Sequence, residues 1–216
     1  MTLNFPSDRA FDIACLGRLA VDLYGEQLGV SLSDVSSFAK YLGGSSANMA
    51  YGTALLGAKS AMISRVGDEQ MGQFLLNQLS AVGCDVSQVR KDPERLTGLV
   101  FLSIRDKEQF PLLFYRQDCA DMALCAEDID EAFIARCRSL IITGTHFSTD
   151  KVYQASKKAL TFAKKHGVVR ALDIDYRPVL WGLTGRGDGE SRYIASDAVS
   201  AHLQTVLPDF DLIIGT

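Results

Sequence analysis

The chain has 216 residues, enough for one sizeable hydrophobic core. Apolar residues make up 47% and charged residues 22%, the balance of an ordered globular protein rather than a disordered one. A net charge of −4 argues against nucleic acid or an anionic membrane surface as the main partner. No apolar run reaches the roughly 18 residues needed to span a bilayer, and residues 1–11 lack the apolar stretch of a secretory signal. Five scattered cysteines (Cys15, Cys84, Cys119, Cys125, Cys137) form no C-x-x-C pair. That pattern predicts reduced thiols in a cytoplasmic protein, not a disulfide frame or a zinc site.

In chain order, the apolar residues 11–19 read as a buried strand, 45–56 as a helix and 60–66 as a strand. Residues 69–82 carry Met71, Phe74, Leu75, Leu79 and Val82 at helical spacing, with Gly83 as a C-cap. A different texture follows: 98–105 and 110–116 are β-rich and flank the polar Asp106-Lys107-Glu108-Gln109, a hairpin signal. Alternation then resumes, with helices at 128–137, 151–165 and 196–206 and strands at 139–143, 168–174 and 211–214. A glycine-rich loop at 182–189 lies before the last helix. Strands alternating with helices predict an α/β fold with a doubly wound, mostly parallel sheet. The hairpin, with residues 26–42, would form a small β lid. Ligands of such sheets sit beyond the carboxyl ends of the strands.

Gly43 and Gly44 precede a predicted helix, so backbone can approach a ligand closely and φ > 0 is permitted. The helix N-terminus behind them offers unpaired N–H groups, and Asn48 can both donate to and accept from a hydroxyl. Taken alone, the glycine pair reads equally as a tight turn and N-cap. Asp22 follows the first strand, where a carboxylate can accept two hydroxyl protons; the alternative is a solvated loop carboxylate. Arg116 offers a planar fork suited to a carboxylate, or else is an exposed edge-strand arginine. Arg177 lies just past a strand, where it can neutralise phosphate charge, or else forms a buried ion pair with Asp175. His146 reads as a polar-loop residue, His166 and His202 as surface helix positions, and Cys15 as core.

Gly43, Gly44, Asn48, Ala50, Gly57, Gly67 and Gly72 together resemble the first signature of the ribokinase-like (PfkB) carbohydrate kinases, with Ser46 departing from the usual small residue. Gly67-x-x-x-x-Gly72 continues into Gln73 and Phe74, which excludes a Walker A loop. Phe114-Tyr115-Arg116 resembles the 2-keto-3-deoxygluconate kinases of that family. The segment from Asp173 to Trp181 resembles a D-x-N-x-R-x-x-L-W stretch of its sugar-acid and fructose kinases, with Asp175 in place of Asn. With Thr143-Gly144-Thr145-His146-Phe147-Ser148 upstream, it is most similar to the 5-dehydro-2-deoxygluconokinase branch, which acts in inositol catabolism.

This resemblance runs through the whole chain in order. It implies that residues 1–216 are the N-terminal portion of a ribokinase-like kinase domain, with lid segments at about 25–43 and 97–118 and the C-terminal part of the fold missing. It implies ATP and Mg²⁺ as cofactors, with no metal site inside this chain. Asp22, Gly43, Gly44, Asn48 and Arg116 would bind substrate, and Arg177 and Asp175 would face the phosphate in the transition state. The family's base is the Asp of a Gly-Ala-Gly-Asp segment, which does not occur here. The base is therefore expected beyond Thr216, the nucleotide site is largely missing, and the chain alone should be inactive. The implied partner is a small sugar acid, with a homodimer formed through the lid. Two alternatives stay open: a kinase of the family for another sugar or a nucleoside, and a non-catalytic sugar-binding α/β module.

Overall fold

The computed structural model describes residues 3–106, 110–185 and 193–215. Its elements run β1 (Ile13–Leu16), β2 (Ala20–Gly25), β3 (Phe38–Gly43), α1 (Ser45–Leu55), β4 (Ser60–Gly67), α2 (Gln70–Ala81) and β5 (Asp85–Asp92). They continue with β6 (Gly98–Leu102), β7 (Leu112–Tyr115), α3 (Glu131–Ile134), β8 (Ser139–Thr143), α4 (Asp150–Lys165), β9 (Val169–Asp173), α5 (Asp197–Gln204) and β10 (Leu212–Ile214). Two sheets result: a parallel core sheet in the order β10-β9-β8-β1-β4-β5 and a lid sheet in the order β3-β2-β6-β7.

The inner core strands β1, β4, β8 and β9 are largely apolar at successive positions because both of their faces are covered. Side chains alternate across a strand, so Ala14 and Leu16 of β1 join Leu140, Ile142 and Phe147 on one face, packed by Val152, Ala155 and Ala159 of α4. Cys15 points the other way, to Met62, Ile141 and the α2 residues Leu75 and Leu79. Full burial of a leucine such as Leu160 contributes about 2 kcal/mol relative to exposure. Helix α2 starts where Glu69 accepts hydrogen bonds from the Met71 and Gly72 N–H groups, at 2.5 and 3.1 Å. Among the described residues no helix is long and apolar enough to cross a membrane.

In the lid sheet, Asp22 lies opposite Tyr41 on β3 and Val100 on β6, and Val100 lies opposite Phe114 on β7. Cross-strand partners share a face, so Asp22, Val100 and Phe114 form one row pointing the same way.

Several expectations are revised. The first strand ends at Leu16, and the chain breaks at Gly17 and resumes as β2, so Asp22 sits on a lid strand rather than in a loop. The helix expected at 128–137 shrinks to one α-turn, capped by Asp130, because the chain must enter β8 at Ser139. Strand β5, with the sequence DVSQVRKD, has no apolar alternation and was not expected; it is the sheet's charged edge. Lys107, Glu108 and Gln109 of the expected hairpin turn, and residues 186–189 of the glycine-rich loop, lie outside the described residues.

Candidate functional site: a cleft between the lid and the core sheet

Beyond the carboxyl ends of β1 and β9, and under the inner face of the lid, lies a cleft of about 480 Å³. Its walls bring together Arg18, Asp22, Gly44, Asn48, Asp173 and Arg177, and the apolar Val100, Leu102 and Phe114. This is the position at which open α/β sheets bind ligands.

The glycine pair has two separate steric reasons. Gly44 is the N-cap of α1 with φ of 97°, and a Cβ there would come 2.4 Å from the Arg18 carbonyl oxygen. A Cβ on Gly43 would fall 2.1 Å from Oδ1 of Asp22. The absent side chain of Gly43 is thus the seat of the Asp22 carboxylate. Ser46 uses its hydroxyl to donate to the Leu16 carbonyl at 3.0 Å and to meet Thr143 Oγ1 at 3.2 Å, tying α1 to the ends of β1 and β8.

Asp22 and Asn48 have side chains with no hydrogen-bond partner among the described residues, although both line the cleft. Burial raises the Asp22 pKa, and the nearby Arg18 and Arg116 charges oppose that rise. Burial likewise raises Asp173, and the Asp175 charge adds to it.

Arg18 is only 6% exposed. Its Nη2 donates to Asp175 Oδ2 and, at 3.0 Å, to Ser45 Oγ, while its Nε is buried without a partner. Burial works against the Arg18 charge and Asp175 supports it. Asp175 is itself held at a φ of 34°, a left-handed conformation that Asp tolerates better than most residues. Its N–H donates to Asp173 Oδ1 at 3.2 Å. The anticipated Asp175–Arg177 pair is present only as a longer contact of 3.7 Å; the close partner of Asp175 is Arg18. Asp175 therefore lies behind the wall, and the partly exposed Arg177 lies on it.

Arg116 is placed differently from both readings of its sequence. It is neither an exposed edge residue nor on the wall of this cleft: its side chain is 1% exposed and pairs with Asp121, which is 0% exposed. Asp121 also accepts the Leu19 N–H at 3.1 Å and the Cys119 thiol at 3.0 Å. Burial disfavours both charges, but each holds the other ionised: Arg116 is raised and Asp121 lowered from their usual values. The carboxylate that Arg116 meets is thus the protein's own, and its Nε and Nη1 are buried without partners. His146, read as a polar-loop residue, is fully buried with both ring nitrogens unpartnered, and burial lowers its pKa to about 4. His202, read as a surface residue, turns inward, with Nε2 at 2.9 Å from the Phe147 carbonyl oxygen.

Sequence reasoning missed Arg18, Asp121 and Asp173 as members of this region. For two of them the available signal was a charged residue at or just past the end of a buried strand, as with Arg18 two residues after Leu16 and Asp173 at the end of β9.

Residues 10–184 match the pfkB family carbohydrate kinases. The chain is 33% identical over 217 residues to a protein of Halalkalibacterium halodurans named 5-dehydro-2-deoxygluconokinase, with 100% of this chain and 62% of that one covered. Its fold matches the PfkB protein of Polaromonas sp. JS666 with a TM-score of 0.83 and 26% identity, over 94% of this chain and 65% of that one. It also matches an uncharacterized sugar kinase of Pyrococcus horikoshii solved in complex with ATP, with a TM-score of 0.79 and 26% identity, over 93% and 62% of the two chains. The chain therefore spans about three-fifths of the length of these relatives, and it belongs to the pfkB family of carbohydrate kinases.

Proposed function

We propose that the chain supplies the sugar-binding face of an ATP-dependent cytoplasmic kinase that phosphorylates a keto-sugar acid of the 5-dehydro-2-deoxygluconate type in inositol catabolism. One observation carries this reading: Asp22 and Asn48, both without internal partners, line a cleft that also holds arginine side chains. Asp22 accepts the protons of two neighbouring hydroxyls, and Asn48 donates to and accepts from another. Val100, Leu102 and Phe114 on the lid face exclude water, which strengthens those polar contacts. Arg177, on the wall and partly exposed, meets phosphate charge at the core side.

The name of the Halalkalibacterium halodurans relative supports the sugar acid, and the ATP complex of the Pyrococcus horikoshii neighbour supports the nucleotide. ATP supplies the phosphoryl group. Mg²⁺ in such sites is held largely by the nucleotide's phosphates, and no residue of this chain is assigned to it. The proton-accepting base is assigned to no residue of 1–216, because the sequence contains no Gly-Ala-Gly-Asp segment. That same feature favours the second reading, a sugar-binding module without turnover. A homodimer through the lid is part of the proposal, supported by Tyr24 and Tyr41, exposed and packed edge to face on the Asp22 side of the lid.

The test is ADP release with ATP·Mg²⁺ by the intact gene product, offered 5-dehydro-2-deoxygluconate, 2-keto-3-deoxygluconate and fructose. The reading expects the highest kcat/KM for the first acid, and for the 216-residue chain a rate lower by several orders of magnitude. Robust turnover by the 216-residue chain would place the base within it. Preference for fructose would remove the sugar-acid assignment.

A further inference from the structure

We propose that Arg18 is the specificity-determining cation of the cleft, presenting Nη1 to the carboxylate of the sugar acid. This inference rests on the sugar-acid reading and names the residue that enforces it.

Four observations lead to Arg18. It lines the same cleft as Asp22 and Asn48, whereas Arg116 does not. It is 6% exposed, so a contact it makes there is little weakened by water. Its orientation is fixed before any ligand arrives: Nη2 is held by Asp175 and by Ser45 Oγ at 3.0 Å, so the planar fork cannot swing away. Finally, its nitrogens are accounted for unequally. Nη2 is occupied and Nε is sealed from solvent without a partner, while Nη1 makes no hydrogen bond among the described residues and is not sealed.

The cleft's charges divide the ligand. Asp22 and Asp173 accept protons and repel a carboxylate, so they select hydroxyls. Arg18 and Arg177 are the cations on the wall. Arg177 is more exposed, at 32% of its side chain, and its closest recorded carboxylate is 3.7 Å away, so it is the looser and more screened of the two. A ligand with hydroxyls at one end and a carboxylate at the other satisfies Asp22, Asn48 and Arg18 together. A neutral ketose leaves Nη1 facing no anion.

The Asp175 carboxylate then has a role in substrate choice. It holds Arg18 in place, and it sits in its left-handed conformation to do so. Asp175 is a positioning residue in this scheme, and Arg18 is the residue that touches substrate.

The experiment compares kcat/KM for 5-dehydro-2-deoxygluconate and for fructose in the intact gene product and two variants. Arg18→Met combined with Asp175→Asn removes both charges together, which avoids stranding a buried carboxylate. The ratio of acid to ketose is expected to fall roughly 10- to 100-fold, mostly through KM for the acid. Arg18→Lys keeps the charge opposite Asp175 and serves if the double variant does not fold. Its loss of the planar fork should lower the ratio by about threefold or more. A wild-type protein that prefers the acid, with variants that keep that preference, would overturn this inference alone. A wild-type protein with no acid preference would overturn it together with the sugar-acid reading.

Discussion

The core sheet and the lid sheet are built by different rules, and the cleft lies on the seam between them. The inner core strands β1, β4, β8 and β9 are covered on both faces and feed two extended clusters in which Leu16, Leu140, Ile142, Met62 and Leu75 are at or near complete burial. The lid's own inner cluster has three buried residues, Val100, Leu102 and Phe114, at 6–9% exposure, and its other face leaves Tyr115 62% exposed. Arg18 and Asn48 thus sit where β1 ends and α1 begins, while Asp22 rides on the lid strand whose other face is anchored by Val21. Sites commonly draw such elements from the less stable end of a fold. The lid is held at its root in two ways: Val21 of β2 packs into the core cluster with Leu42 and Leu99 against it, and Asp121 joins Arg116, just past β7, to the Leu19 N–H, where the chain leaves β1 for β2.

The largest predicted effect breaks that joint. Asp121→Ala leaves the Arg116 charge buried and unpaired, and should lower unfolding free energy by roughly 3–5 kcal/mol in a urea titration. A loss below about 1 kcal/mol would mean that the lid is held by something else. A sharper comparison truncates the same side chain on each side of the seam. Leu140→Ala in the core should cost about 3–5 kcal/mol and leave sugar affinity unchanged where the protein is folded. Leu102→Ala, whose void opens into the cleft, should cost about 2 kcal/mol and weaken sugar binding. Equal costs would erase the distinction between the sheets.

A third prediction uses pH. His146 has a folded pKa of about 4 against an ordinary value near 6.5, so between those values the unfolded chain binds a proton that the folded chain refuses. Stability is then complete above about pH 6.5 and declines toward pH 4, by up to roughly 3 kcal/mol. Asp121, lowered from its ordinary value, adds a further loss at more acidic pH as its carboxylate protonates. In His146→Gln the decline between pH 6.5 and 4 should flatten; an unchanged slope would assign it to another group.

The parts legible in the sequence were those decided locally. Apolar runs located β1, β4, β8 and β9 because burial on both faces leaves no polar position, and spacing located α2 and α4 to within about one residue. The glycine pair and Asn48 lie at the start of α1, where the sequence placed a helix, whereas the seat of Asp22 against Gly43 comes from the β2–β3 pairing and was not legible. Edge strand β5 was not, since one face and one edge of it meet water and its sequence is polar. Pairings made by the fold were also hidden. Arg18 and Asp175 are 157 residues apart, and nothing at either position announces the other. Arg116 had a partner five residues away, but whether a lid arginine turns outward, toward a ligand or into the root depends on tertiary packing.

In the proposed role, the Asp22 carboxylate grips sugar hydroxyls rather than stabilising the fold. Burial raises its pKa, so its charged form costs stability at neutral pH, and that cost disappears as pH falls through the raised value. Asp22→Asn in the intact gene product, followed by calorimetric sugar binding and thermal melting at pH 7, measures both sides at once. The account predicts a melting temperature equal to or above wild type, with affinity for both 5-dehydro-2-deoxygluconate and fructose reduced roughly 100-fold. A variant that melts lower yet binds both sugars as tightly as wild type would contradict it.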